Sequence, residues 1–244
     1  MPRRIELSVH DEREIRLGGR AVAYRFARRR RRTLGITVGA SGISVSAPLR
    51  APIRDIESFM RDKERWILAK LREWSSAPKP KRLEMQSGES LPIFGRSHQL
   101  EVRDGGRAVH HRPGRLLVYA PGRARAAEAL LGWLKTQALE RLAPRAEWFA
   151  GHLDLRAPCV ALSNARGQWG VCLEGGTIRL NWRLVHLEHA LSDYVVAHEV
   201  AHLVEMNHSK RFWGLVTKLY PAWREAREQL ELAGAAIPII GERR

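Results

Sequence analysis

His198, Glu199 and His202 stand in the order His-Glu-Val-Ala-His. On a helix, residues four apart project from one face about one turn apart, so both imidazoles can ligate a single cation. A glutamate next to the first histidine is placed to take a proton from water activated by that cation. With ten histidines and twenty glutamates in 244 residues, this pattern arises by chance in roughly 0.03 copies per chain. His208 follows ten residues after His198. In an unbroken helix it would lie about 9 Å beyond His202 and point elsewhere. It becomes a third ligand only if the helix ends after about Val204, and Asn207, a residue that tolerates the left-handed conformation, is the expected break. Three histidines leave one coordination position open for water, which is the pattern of a catalytic zinc. The expectation is one Zn²⁺ per chain on His198, His202 and His208, with Glu199 as general base. Glu225, Glu228 and Glu231 are the competing third ligands.

The surrounding residues agree with this chemistry. Between Tyr194 and Val204 every residue except His198, Glu199 and His202 is apolar. A helix that is apolar all round is buried, and a carboxylate there needs a partner. The helical pattern starts near His189 and continues to Gly234, with interruptions near Asn207 and Pro221. Three short strands precede it, at Pro158–Ser163, Gln168–Leu173 and Thr177–Asn181, with Gly175-Gly176 turning the last pair. Further upstream, Arg123 to Gly151 reads as a long helix that Pro144 should kink or divide. Strand-like segments occupy Glu89–Phe94, His98–Val102 and Leu116–Tyr119. Before the connector Ser75–Arg82, a helix opened by Pro52 runs to Trp74. It follows strands at Ala21–Phe26, Thr33–Val38 and Ile43–Ser46, with Gly39-Ala40-Ser41-Gly42 between the last two. This predicts an α+β chain in three stretches. Residues 1–20 form a polar tail, 21–125 a basic strand-rich α/β part, and 126–244 a metallohydrolase part with a short mixed or antiparallel sheet beside the HExxH helix.

Hydrophobic residues make up 44% and charged residues 28%, which excludes wholesale disorder. No stretch reaches the ~20 apolar residues that cross a bilayer, and the charged start does not read as a secretory signal. Cys159 and Cys172 are too few for a disulfide scaffold. A soluble, cytoplasmic protein with no membrane partner is expected. The net charge of +16 is uneven, at +15 over residues 1–125 and +1 over 126–244. Arg28, Arg29, Arg30, Arg31 and Arg32 form a run that suits nucleotide or nucleic-acid phosphates, or is simply a solvated basic stretch. Few aromatic residues interleave with it, so no base-stacking platform is indicated.

The segments Gln168-Trp169-Gly170-Val171-Cys172, Ile178–Leu184, Asp193–Glu199, His202-Leu203, Asn207-His208-Ser209 and Phe212-Trp213 resemble the YgjP-like metallopeptidases, a family related to the SprT-like zincins. Arg32–Val38, Ala47-Pro48 and the Trp66-Ile67 helix extend the resemblance to roughly residues 20–232. It implies a zincin-like part at 126–244, metal ligands at His198, His202 and His208, and a general base at Glu199. Peptide or protein substrates follow from the same resemblance. The alternatives it carries are a metal-dependent nucleotide (UTP) pyrophosphohydrolase and a SprT-like protease acting near nucleic acid through the basic N-terminal half. Gln168 and Val171 stand where the family usually has arginine and serine. By analogy with zincins, Thr177–Asn181 is expected to be an edge strand that pairs with substrate. Cys172 reads as a small core residue, His186 and His189 as surface or capping residues, and Phe212 with Trp213 as packing for the helix after His208.

Overall fold

A computed structural model describes residues 11–39, 42–77, 79–165 and 167–241. The chain divides into two units, Met1–Pro78 and Lys79–Arg244. The boundary expected near residue 125 falls inside the second unit. Strands before that position and the helix after it share one core, in which Leu91, Leu100, Leu116 and Val118 lie with Leu130 and Leu134.

The first unit holds β1 (Asp11–Leu17), β2 (Arg20–Arg29), β3 (Gly35–Gly39), β4 (Gly42–Pro48), α1 (Ile53–Asp62) and α2 (Glu64–Ser76). Residues 11–17 were expected within a polar tail, yet they pair antiparallel with β2. The signal is thin because only Ile15 and Leu17 are apolar, but their spacing of two buries both while the charged neighbours face water. Gly18 and Gly19, with φ of +55° and +76°, form the two-residue turn whose twist matches the strands. The sheet order is β1-β2-β4-β3. The helix expected from Pro52 is divided at Lys63, where φ is −100° and ψ 10°. Ile56, Met60 and Ile67 from the two helices share a core with Phe26 and Val45. Ala40 and Ser41, expected in a turn, lie outside the described residues, as do residues 1–10 of the expected tail.

Part of the arginine run has work inside this unit. One Arg28 nitrogen donates to the carbonyls of Pro48, Leu49 and Ala51 at 3.2, 2.8 and 2.9 Å, which holds the chain leaving β4. Arg31 donates to the Ser46 hydroxyl and lies over Gly35, where a Cβ would come 2.6 Å from its guanidinium.

The second unit opens with β5 (Arg82–Leu83), β6 (Ser90–Ile93), β7 (Arg96–Arg103), β8 (Ala108–Arg112) and β9 (Arg115–Tyr119). The last four form a sheet ordered β6-β7-β9-β8. Helix α3 (Arg123–Gly151) follows and runs through Pro144 without division. Pro144 lies on the exposed side, where water can satisfy the freed carbonyl, while Leu142, Ala146 and Phe149 hold the opposite side in the core. Then come β10 (Val160–Ser163), β11 (Gly170–Cys172) and β12 (Ile178–Asn181), a 3₁₀ turn Trp182–His186, α4 (His189–Ala201), α5 (Lys210–Leu219), α6 (Trp223–Ala235) and β13 (Ile239–Ile240). The three-stranded sheet is ordered β10-β12-β11, with β10 parallel and β11 antiparallel to β12. No helix among the described residues is long and apolar enough to cross a membrane.

His186 corrects the expectation of a surface or capping residue, being only 3% exposed. Its Nδ1–H donates to the Pro92 carbonyl at 2.8 Å, which ties the 3₁₀ turn to β6. Burial, aided by the Arg183 charge and opposed by that hydrogen bond, pushes its pKa from 6.5 down to about 4. The unfolded chain therefore binds this proton near pH 6.5 and the folded chain only near 4. His186 thus contributes stability that is full above pH 6.5 and is lost as pH falls to 4, a change of about 3 kcal/mol. Urea unfolding across that window should show this slope in the wild type and a shallower one in His186→Gln. An unchanged slope in the variant would contradict the assignment.

Candidate active site

Helix α4 is buried on nearly every side. Tyr194, Val195, Val196, Ala197, Val200 and Ala201 are all in the core, and Glu199 is only 6% exposed. The helix packs against α3, α5, α6 and the strand β11. It ends at Ala201, earlier than the break expected at Asn207. Asn207 is not left-handed, since the only non-glycine residues with positive φ among those described are Met85, Phe94 and Asp154. The helix instead unwinds through the bonds of Leu203 N–H to Val200 and of Val204 and Glu205 N–H to Ala201. The Ser209 hydroxyl then starts α5 by accepting the Phe212 N–H at 3.2 Å.

This turn folds His208 back over α4. The ligand nitrogens of His198, His202 and His208 all lie within 4.8 Å of one another, and the Nε2 atoms of His198 and His208 are 3.1 Å apart. Two imidazole nitrogens on a tetrahedral zinc sit about 3.4 Å apart, so the donor set fits such an ion. Its protonation also fits. Burial first, then the neighbouring His202 and His208 and the Arg227 charge, lowers the His198 pKa to about 3, which keeps it in the neutral form that ligates metals. The His202 pKa is lowered by burial as well, against its hydrogen bond to the Glu205 carbonyl. That bond, from His202 Nδ1–H at 3.0 Å, fixes the tautomer and leaves Nε2 free to coordinate. The Phe212 ring stacks on His202 at 4.3 Å between centroids and so restrains the imidazole. The rival ligands Glu225, Glu228 and Glu231 lie exposed on α6 and do not join the cluster.

Glu199 follows His198 on α4 and packs against Gly170 of β11. Burial raises its pKa to about 7, opposed by a hydrogen bond from the Cys172 backbone N–H. Cys172 itself is buried, as expected of a small core residue. Gly170 is what lets the carboxyl fit. A Cβ there would stand 2.5 Å from Glu199 Cγ and 2.7 Å from Cδ and Oε1. Gly170→Ala should therefore turn the carboxyl away while leaving the three imidazoles in place. Misplacement of about 1 Å costs on the order of 10²-fold in rate, so steady-state kinetics should show that drop in kcat with metal content unchanged. Full activity in Gly170→Ala would remove the positioning role.

Sequence reasoning missed three members of this site: Gly170 as the space for Glu199, the Cys172 N–H, and the Glu205 carbonyl. All three act through backbone or through absence of a side chain, so residue type at their own positions gives little signal. Thr177–Asn181, expected at an edge, holds β12, which is the central strand. The edge beside α4 is β11. Trp213 stacks on Trp223 at 4.2 Å, in line with a packing role.

The model of the YgjP-like family, metallopeptidase domain, matches residues 32–233. No curated protein matches the chain. The crystal structure of the metallopeptidase zymogen of Pyrococcus abyssi abylysin is similar at 23% identity, over 40% of this chain and 99% of that one, with a TM-score of 0.37. A match of that size lends nothing to the fold assignment, whereas the family model spans most of the chain, β10 to α5 included. By that match the chain belongs to the YgjP-like metallopeptidases.

Proposed function

We propose that this protein is a zinc-dependent peptidase, with His198, His202 and His208 holding one Zn²⁺ and Glu199 acting as general base. The observation that carries this reading is the convergence of three imidazoles, two of them held towards the neutral form, at the end of a helix that also carries the buried Glu199. When bound, zinc supplies Lewis acidity that activates water and polarises a carbonyl. Glu199 takes the proton of the attacking water and hands it to the leaving amine. The Cys172 N–H and the close approach of Gly170 hold the carboxyl in position for both transfers. Among the described residues β11 is an edge strand, and its outer backbone groups other than the Cys172 N–H can pair with an extended peptide.

The test is hydrolysis of a peptide and unfolded-protein panel by the zinc-loaded chain, read by mass spectrometry, with a nucleotide panel run in parallel. Peptide cleavage that requires zinc is expected. Phosphate or pyrophosphate release without peptide cleavage would overturn the reading in favour of a nucleotide hydrolase.

A further inference from the structure

A second cluster of titratable groups lies at the other end of α4. His98 on β7 is only 6% exposed, and its Nδ1 is 2.8 Å from the Arg96 carbonyl. That hydrogen bond makes Nδ1 the donor and leaves Nε2 as an acceptor. His111 on β8 meets it there, with the two Nε2 atoms 2.9 Å apart. The pair lines a cleft of about 670 Å³ together with Phe94, Arg96, Arg112 and His189. His189, the first residue of α4, stacks on Phe94 at 5.0 Å. It receives the Arg141 Nε–H on its Nδ1 at 3.0 Å, so its own N–H is on Nε2. Among the described residues no aspartate or glutamate lines the cleft.

The arginines here differ from those around them. Arg103 and Arg115 pair with Glu101, Arg107 and Arg125 with Glu128, and Arg141 and Arg145 with Asp193. Arg96 and Arg112 have no carboxylate partner among the described residues, and both are exposed at the mouth of the cleft. Two guanidiniums without a carboxylate partner, in a cleft whose described lining carries imidazoles and no acid, match an oxyanion and repel a metal ion.

We propose that this cleft binds a phosphate-class oxyanion, held by Arg96 and Arg112 with the His189 Nε2–H as an additional donor. His189 and His198 are nine residues apart on α4, about 14 Å along its axis, so the cleft is a site separate from the histidine triad. The proposal does not depend on what the triad does.

Inorganic phosphate, titrated into the zinc-loaded full-length chain, is the first probe, with the imidazole NMR resonances of His98 and His111 as the readout. A saturable shift of both is expected. Removing one charge-assisted hydrogen-bonding group should weaken binding about tenfold, so Arg96→Ser with Arg112→Ser should raise Kd roughly a hundredfold. Both side chains are exposed and unpaired, so the double variant should keep its circular dichroism and melting temperature. Arg29→Ser with Arg30→Ser, in the other unit, is the control expected to bind as the wild type does. A nucleoside monophosphate run alongside separates two sources of the same group: tighter binding than inorganic phosphate assigns a phosphate carried on a nucleoside, and equal binding assigns the free ion. The absence of any saturable shift at His98 and His111, or a Kd unchanged in the arginine double variant, would overturn the proposal.

Discussion

Glu199→Gln is expected to lower kcat by about 10²- to 10⁴-fold, the usual contribution of a positioned general base, while the chain keeps its metal. The glutamine amide has nearly the volume of the carboxyl and can still accept the Cys172 N–H, so the wall beside Gly170 and the buried surroundings of position 199 are undisturbed. What disappears is the ability to accept a proton. KM should therefore change little. Single-turnover kinetics on the peptide that the wild type cleaves best would check this. Retained turnover with metal in place would remove Glu199 from the chemistry.

The second large effect concerns metal removal. Chelation should abolish hydrolysis in the wild type, and added zinc should restore it. Ligand binding to the folded state alone stabilises by about 2.7 kcal/mol when the ligand is at 100 times its Kd, so the chelated protein should also melt at a lower temperature. His202→Ala should behave as the chelated protein does in activity, with no rescue by zinc. It should be less stable still, because it also loses the bond to the Glu205 carbonyl and the stacking on Phe212. His208 is exposed, so His208→Ala should lose zinc and activity while folding normally. A chelator-resistant activity would contradict the zinc reading.

The helix and its three polar residues were legible because their information is local. The spacing of His198, Glu199 and His202 and the unbroken apolar sequence around them are properties of one segment, and His208 could be added by a simple condition on where the helix ends. The position of that end was not legible. Asn207 carries the usual signal of a helix stop, but the chain unwinds earlier, where His202 turns its Nδ1 onto the Glu205 carbonyl, a hydrogen bond that exists only after the turn has formed. Gly170 shows the same limit at longer range. Its role depends on a side chain 29 positions later, brought there by the packing of β11 on α4. The order β10-β12-β11 likewise follows from a parallel pairing that no hairpin signal announces, so the last strand in sequence became the centre of its sheet. At the start of the chain, β1 was hidden because two apolar residues among five charged ones give a weak alternation. Composition located most of the positive charge in residues 1–125. Only the folded structure shows that Arg28 and Arg31 hold backbone and a hydroxyl in the first unit, while Arg96 and Arg112 are left unpaired beside the His98–His111 pair.

Three histidines gathered by the end of α4 are proposed to hold one catalytic metal ion. Elemental analysis of the purified wild type and of His208→Ala, both after exposure to zinc and removal of the excess, decides whether they do. One zinc per chain in the wild type and none in a normally folded His208→Ala is the result the structure predicts. A wild type that takes up no metal, or a His208→Ala that keeps its zinc, would contradict it.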